Sequence, residues 1–342
     1  MRIAQVSQMF EPTPPVGYGG TERVVSWLTE ELVREGHDVT LFATGDSKTS
    51  ARLVPIIERA IRPGGEIRDW VPVYVALLET VRRRTGEFDV IHFHIDTHPL
   101  PLFSRQETPF LLTMHGRLDL PEYALAYGLF RDVPMVAISD FQRSFLPEQR
   151  WAATVYHGLP DMLRLVDRPA GYLAFLGRIS PEKGIEAAVE ISKRAGRPLK
   201  VAAKVDKVDQ DYYRDVVKPK FDEAHVEFVG EIDDAQKQAF LGGASALLFP
   251  GRWPESFGLA MIEAMACGTP VIGFRVASVP EVVDDGVTGF VVEDNDGGVA
   301  AVGRADRLSR AQVRARFEAR FRAQRMASDY VKLYETIRGS LS

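Results

Sequence analysis

The sequence predicts an α/β protein built from two Rossmann-like parallel-sheet domains. Short apolar segments alternate with amphipathic helical segments from the first residue to about position 290, the pattern of repeated βαβ units. The length, 342 residues, exceeds what one hydrophobic core usually serves. A polar, proline-containing stretch, Leu159 to Gly171, interrupts the alternation once, and the domain linker is placed there.

Taken in order, Arg2 to Ser7 reads as the first strand and Thr21 to Glu35 as the first helix. Val24, Leu28 and Leu32 recur every fourth residue, and Gly36 stands where a helix stops. Strands follow at Asp38 to Ala43, Val90 to Phe93, Phe110 to Met114, Met135 to Ser139 and Thr154 to Tyr156, which complete one sheet. The second series runs through Tyr172 to Leu176, Leu199 to Ala203, Val226 to Val229, Ala246 to Phe249 and Pro270 to Gly273. From Asp306 onward the chain reads as helix, with Val313, Phe317 and Phe321 on one face and arginines between them. Interspersed acids favour a solvated arginine face over a dock for anionic lipid, so peripheral membrane contact is not the preferred expectation.

Composition narrows the function. Hydrophobic residues at 45% and charged residues at 26% are ordinary globular usage, and no apolar run approaches a membrane span. A formal net charge of -5 argues against a general nucleic-acid binder. The single cysteine, Cys267, and the lack of a charged-then-apolar leader point to the cytoplasm as the expected location. The expected partner is a small or medium-sized molecule.

In open parallel sheets ligands sit beyond the carboxyl ends of the strands, so the strand-end loops of two facing domains are expected to line a cleft. The strongest signal there is the run Gly251 to Val271, which leaves a strand and enters a helix. Glu255 lies in the loop, Phe257, Gly258 and Leu259 near the first turn, and Glu263 farther in. Unpaired amides at a helix start suit a pyrophosphate, and two carboxylates can accept from the hydroxyls of a ribose and a hexose. On residue type alone, Glu263 as a solvent-facing helix residue and Glu255 as a loop charge remain open.

The segment Phe175 to Gly184 places Arg178 and Lys183 across another strand-to-helix turn, where a planar fork and a point charge can reach one diphosphate. A surface ion pair with Glu182 is the alternative. The loop Gly17 to Arg23, with Gly19 and Gly20, precedes the first helix. It lacks the third glycine of a dinucleotide fingerprint, since Glu22 holds that position, and this disfavours an NAD-dependent dehydrogenase.

The two glutamates of Pro-Glu-Ser-Phe-Gly and Glu-Ala-Met-Ala-Cys-Gly-Thr-Pro-Val resemble the signature of the retaining family 4 glycosyltransferases, which have the GT-B fold. Similar landmarks run in order from Gly17 to Gly289, including Ser278 to Val283 and Asp285 to Phe290, so the resemblance covers most of the chain. Glu281 is read as structural. The resemblance implies an acceptor-side domain of residues 1–160, a donor-side domain of residues 171–322, and a final helix, about 323–342, crossing back to the first. It further implies transfer of a hexosyl group from a nucleotide sugar, UDP-sugar favoured, to an unidentified acceptor hydroxyl, without metal or other cofactor. Arg178 and Lys183 would hold the donor diphosphate, Gly19 and Gly20 would close over the donor, and His115 would face the transferred sugar. Two positions depart from the pattern: Lys204 stands where glycine is common, and His157-Gly158 where asparagine-glycine is usual.

His92, His94 and His98 raise a metal site, with only Asp96 as a nearby carboxylate. The preferred expectation is that His94 or Asp96 borders the acceptor groove. Rival functions are a sugar phosphorylase or nucleotide-sugar epimerase on a similar frame, and a non-catalytic sugar- or nucleotide-binding protein.

Overall fold

The computed structural model describes residues 1–17 and 19–339. Tyr18 of the glycine-rich loop and residues 340–342 of the expected final helix lie outside the described residues. The chain forms two compact units, residues 1–160 together with the segment from Ala323 onward, and residues 161–322.

The first unit holds seven parallel strands: β1 (Arg2–Val6), β2 (Asp38–Ala43), β3 (Arg52–Pro55), β4 (Val90–Phe93), β5 (Phe110–Thr113), β6 (Met135–Ala137) and β7 (Trp151–Thr154). Their order is β3-β2-β1-β4-β5-β6-β7. The central strands β4 and β5 are buried at every residue, as strands covered by helices on both faces must be. Helix Gly20–Arg34 buries Val24, Val25, Leu28 and Leu32 and packs against helix Ala323–Gly339 of the same unit.

The second unit has six parallel strands: β8 (Tyr172–Arg178), β9 (Leu199–Lys204), β10 (Val226–Gly230), β11 (Ala244–Phe249), β12 (Val271–Phe274) and β13 (Gly289–Val292). Their order, β10-β9-β8-β11-β12-β13, reverses between β8 and β11. The core lies on Leu173, Phe175, Val201, Leu248, Ile272 and Phe274.

Four elements differ from the sequence expectation. Strands β3 and β13 were not expected; both are four-residue edge strands, too short to show a period. The last strand of the first sheet occupies Trp151–Thr154 rather than Thr154 to Tyr156. The helical stretch expected from Asp306 begins later, as helix Arg310–Arg320, and breaks at Phe321, which leaves helical geometry, before the final helix Ala323–Gly339 starts at its expected position.

The arginine face is also not simply solvated. Arg310 donates to the carbonyls of Val166, Gly242 (2.9 Å) and Ala244 (2.9 Å). Arg314 donates to those of Leu163 and Ala266, each at 2.6 Å. These arginines satisfy backbone groups that the packed helix would otherwise leave unpaired. Among the described residues, no helix is long and apolar enough to cross a membrane.

Candidate functional site

In the second unit the two motif-bearing loops leave β8 and β11, the neighbouring strands at which the order reverses, where open α/β sheets form a crevice. The loop after β8 makes a tight turn over Pro181–Lys183 before helix Ile185–Arg194. Gly184 closes it in left-handed geometry, φ 75°, and a Cβ there would lie 2.3 Å from the Pro250 carbonyl oxygen. Only glycine fits on both counts. The Arg252 N–H donates to the Glu182 carbonyl at 3.2 Å, so the two loops are seated on one another.

That contact brings Lys183 against Glu255: the ammonium donates directly to the carboxylate, with each side chain about a quarter exposed. Arg178 ends β8 in register with Lys204 at the end of β9. Its guanidinium is bonded to Glu182 and lies 3.5 Å from Asp206 and 3.7 Å from Asp209. Lys204 completes the cluster, 3.1 Å from Asp206. Of the two readings open for Arg178 in the sequence, the ion pair with Glu182 is formed, and an incoming anion must compete with three carboxylates.

Burial holds the Asp209 carboxyl above its usual range against the pull of Arg178, and the charges of Glu182 and Asp206 add to the rise. Glu182 goes the other way: burial would raise it, but its own backbone N–H, the Ser180 hydroxyl and Arg178 together lower it. Asp206 and Asp209 escaped sequence reasoning because each becomes a neighbour of Arg178 only when β8 and β9 pair.

Helix Leu259–Ala266 starts from Gly258, φ 84°, with no side-chain cap. A Cβ at Gly258 would fall 2.7 Å from Met261 Cε and 3.0 Å from Phe249 Cζ. The uncapped first amides, Leu259 among them, are donors at the positive end of the helix. Phe257 is a core residue: its ring is buried edge-on to Phe321, 6.0 Å between centroids, and its carbonyl accepts from Ser278 Oγ at 2.9 Å. Its ring is therefore committed to the core and not to a donor.

Glu263 is not solvent-facing. It is 5% exposed and accepts from Lys237 Nζ at 2.6 Å, a lysine of helix Asp234–Gly242 that also lies 3.1 Å from Asp234. Lys237 carries no motif signal in the sequence.

In the first unit, Gly19 precedes helix Gly20–Arg34 in extended geometry, and a Cβ on it would stand 2.8 Å from Pro15 Cβ. Gly20 is the first helical residue, and the start again has no side-chain cap. Arg23 donates back to the Gly17 carbonyl at 2.7 Å, holding the loop. Burial pushes the nearby Glu22 carboxyl up, against its own backbone hydrogen bond and Arg62.

Four histidines gather at the ends of β4, β5 and β7. His92 and His94, on one side of β4, have ring centroids 4.0 Å apart; His94 Nδ1 is 2.8 Å from His115 Nε2, and His115 stacks on His157 at 5.3 Å. His94 Nε2 is 2.8 Å from Gln5 Oε1, so both its ring nitrogens are engaged and it is 1% exposed. His94 therefore offers neither ring nitrogen to a ligand in this structure, and of the two residues expected at the acceptor groove Asp96 is the one whose side chain is not so engaged by the histidines.

Asp96 takes left-handed backbone geometry, φ 51°, and burial raises its carboxyl. Burial lowers His92, His94 and His157 well below the usual imidazole range and His115 to about 3, so the cluster is neutral near pH 7. His98 leaves the group, stacking on Tyr74 and bonding to the Ile95 carbonyl. No group of three His, Cys, Asp or Glu among the described residues is placed to hold a metal ion.

Residues 18–156 match the model of Glycosyltransferase Family 4, and residues 166–322 that of Glycosyl transferases group 1. A phosphatidyl-myo-inositol mannosyltransferase of Mycolicibacterium smegmatis is 27% identical over 99% of this chain and 95% of its own length. Among solved structures, a sucrose-phosphate synthase from Thermosynechococcus elongatus superposes with TM-score 0.82 at 21% identity, covering 99% of both chains. Anabaena HepE, solved in complex with UDP-glucose, gives TM-score 0.71 at 17% identity over 100% of this chain and 99% of that one. These likenesses at low identity show a GT-B architecture.

Proposed function

This chain belongs to glycosyltransferase family 4, and from that premise we propose that it moves a hexosyl group from a nucleoside-diphosphate sugar, with a UDP-sugar favoured, to an acceptor hydroxyl with retention and without a metal ion. One observation carries the reading. At the strand-order reversal of the second unit, an uncapped helix start, Lys183 and Glu255 are drawn together by loops that interlock at Gly184 and Pro250. Helix amides and an ammonium suit the diphosphate; Glu255 suits hexose hydroxyls, and Glu263, anchored by Lys237, suits the ribose. The complex of HepE with UDP-glucose supports the choice of nucleotide.

In the proposed reaction the acceptor oxygen attacks on the face the diphosphate leaves. The leaving oxygens take up negative charge as the glycosidic bond breaks and help remove the acceptor's proton. Lys183, the helix amides and Arg178, once released from its acids, stabilise that charge by preorganised electrostatics. His115 meets a hydroxyl of the transferred sugar. Cytoplasmic location and an acceptor bound by the first unit belong to the same proposal.

The test is a thermal-shift panel of UDP, GDP, ADP, NAD and free sugars, followed by NMR of the product made from the winning donor. Stabilisation by UDP, a product of retained anomeric configuration and turnover that survives EDTA are expected. An inverted product, or activity lost in EDTA and restored by manganese, overturns the mechanism.

A further inference from the structure

A set of buried polar groups in the first unit forms an unbroken hydrogen-bond chain from helix Ala323–Gly339 to His115. Tyr330 OH lies 2.8 Å from Thr113 Oγ1, which lies 2.6 Å from His92 Nε2. His92 Nδ1 is 2.7 Å from Tyr334 OH, which accepts from Gln5 Nε2 at 3.0 Å. On its other side the Gln5 amide, through Oε1, meets His94 Nε2 at 2.8 Å, and His94 Nδ1 meets His115 Nε2 at 2.8 Å. The chain ends there: His115 Nδ1 is buried without a hydrogen-bond partner among the described residues.

Each link needs one proton, and each neutral imidazole carries only one, so the protons along the chain are not independent. Gln5 Oε1 can only accept, so His94 carries its proton on Nε2 and has a bare Nδ1. His115 must then donate to that Nδ1 from Nε2, which leaves its own Nδ1 as a bare lone pair. On the other branch, Tyr334 receives from Gln5 and passes its proton to His92 Nδ1, which fixes His92 as an Nε2 donor to Thr113. Turning the Gln5 amide over reverses every link and puts an N–H at His115 Nδ1. Lowered pKa values for all three imidazoles agree with one proton apiece.

We propose that Gln5 is a positioning residue: its amide, with Nε2 toward Tyr334 and Oε1 toward His94, sets the tautomer of His115 so that Nδ1 is presented as a hydrogen-bond acceptor to a substrate hydroxyl. The substrate half of this statement rests on the glycosyltransferase reading, and the tautomer half does not. His94 and Tyr334 act through the same chain, which gives the final helix a part in the chemistry of a strand end it only packs upon.

The test is a ¹⁵N NMR spectrum of histidine-labelled full-length protein without substrate, with His115 assigned by the loss of its signals in His115→Gln. In the wild-type protein the proton is expected on Nε2. Gln5→Met, which removes the anchor, should spread it over both nitrogens and lower turnover about tenfold, the worth of one neutral hydrogen bond. Should Gln5→Met fail to fold, Tyr334→Phe, which removes the acceptor that orients the amide, carries the same expected mixture. A proton on Nδ1 in the wild-type protein, or no redistribution in the folded variants, overturns the proposal. Because the spectra need no donor, a negative transfer assay would count against the proposed function and leave this result standing.

Discussion

In the structure the Lys183 ammonium is paired with Glu255. In the proposed reaction the same ammonium turns to the donor diphosphate, whose oxygens gain charge as the bond breaks. Its contribution should therefore be larger in the transition state than in the bound donor. Lys183→Ala is expected to lower turnover at saturating donor ~100-fold, on the order of 3 kcal/mol, with a much smaller change in donor Kd. Unchanged turnover with collapsed affinity would reduce Lys183 to a binding clamp. The two glutamates should separate as well: Glu263→Ala should weaken UDP itself, whereas Glu255→Ala should spare UDP affinity and depress transfer, as titration calorimetry beside a transfer assay will read. The positions of Lys183, Glu255 and Glu263 were legible because each sits in a local strand-to-helix motif. The partners Asp206, Asp209 and Lys237 were not, since strand pairing and helix packing bring them in from elsewhere in the sequence.

Between elements, two contacts hold the motif loops in register. The first is the Gly184–Pro250 approach, and replacing that glycine tests it. Gly184→Ala costs about 1–2 kcal/mol from left-handed backbone alone, and the 2.3 Å overlap adds to it by forcing the loops apart. A lowered urea midpoint together with weakened UDP binding is expected; a variant as stable and as tight as wild type would show that the loops are not interdependent. The second is the pair between helices Asp234–Gly242 and Leu259–Ala266. Lys237→Met leaves the Glu263 carboxyl, 5% exposed, short of its closest cation, so a loss of about 3–5 kcal/mol is expected in denaturant unfolding. Central strands were readable from their continuous apolar runs, and the first helix from its fourfold spacing. Edge strands β3 and β13 were not, because a strand of four residues takes its conformation from its neighbour's hydrogen bonds more than from its own pattern.

Across the whole molecule the buried histidines are distributed unevenly, and this gives the two units different responses to acid. His92, His94, His115 and His157 all belong to the first unit, and burial lowers each below the ordinary imidazole value near 6.5, His115 to about 3. Below pH 6.5 the unfolded chain binds protons there that the folded unit refuses, so stability rises with pH in this window and falls on acidification. Each fully refused proton removes up to about 1.4 kcal/mol per pH unit. Glu22 and Asp96, raised by burial in the same unit, act in the opposite sense, but they are two groups against four. Carboxylates with lowered pKa, such as Glu79 at about 2, begin to matter only at more acid pH, so they do not contribute to the slope between pH 6.5 and 5. Hydrogen exchange followed by mass spectrometry across that interval should show the first unit opening well before residues 161–322. His157→Asn, which removes one refused proton, should flatten the fall of the thermal midpoint. Equal loss of protection in both units, or an unchanged slope in a folded His157→Asn protein, would contradict the account.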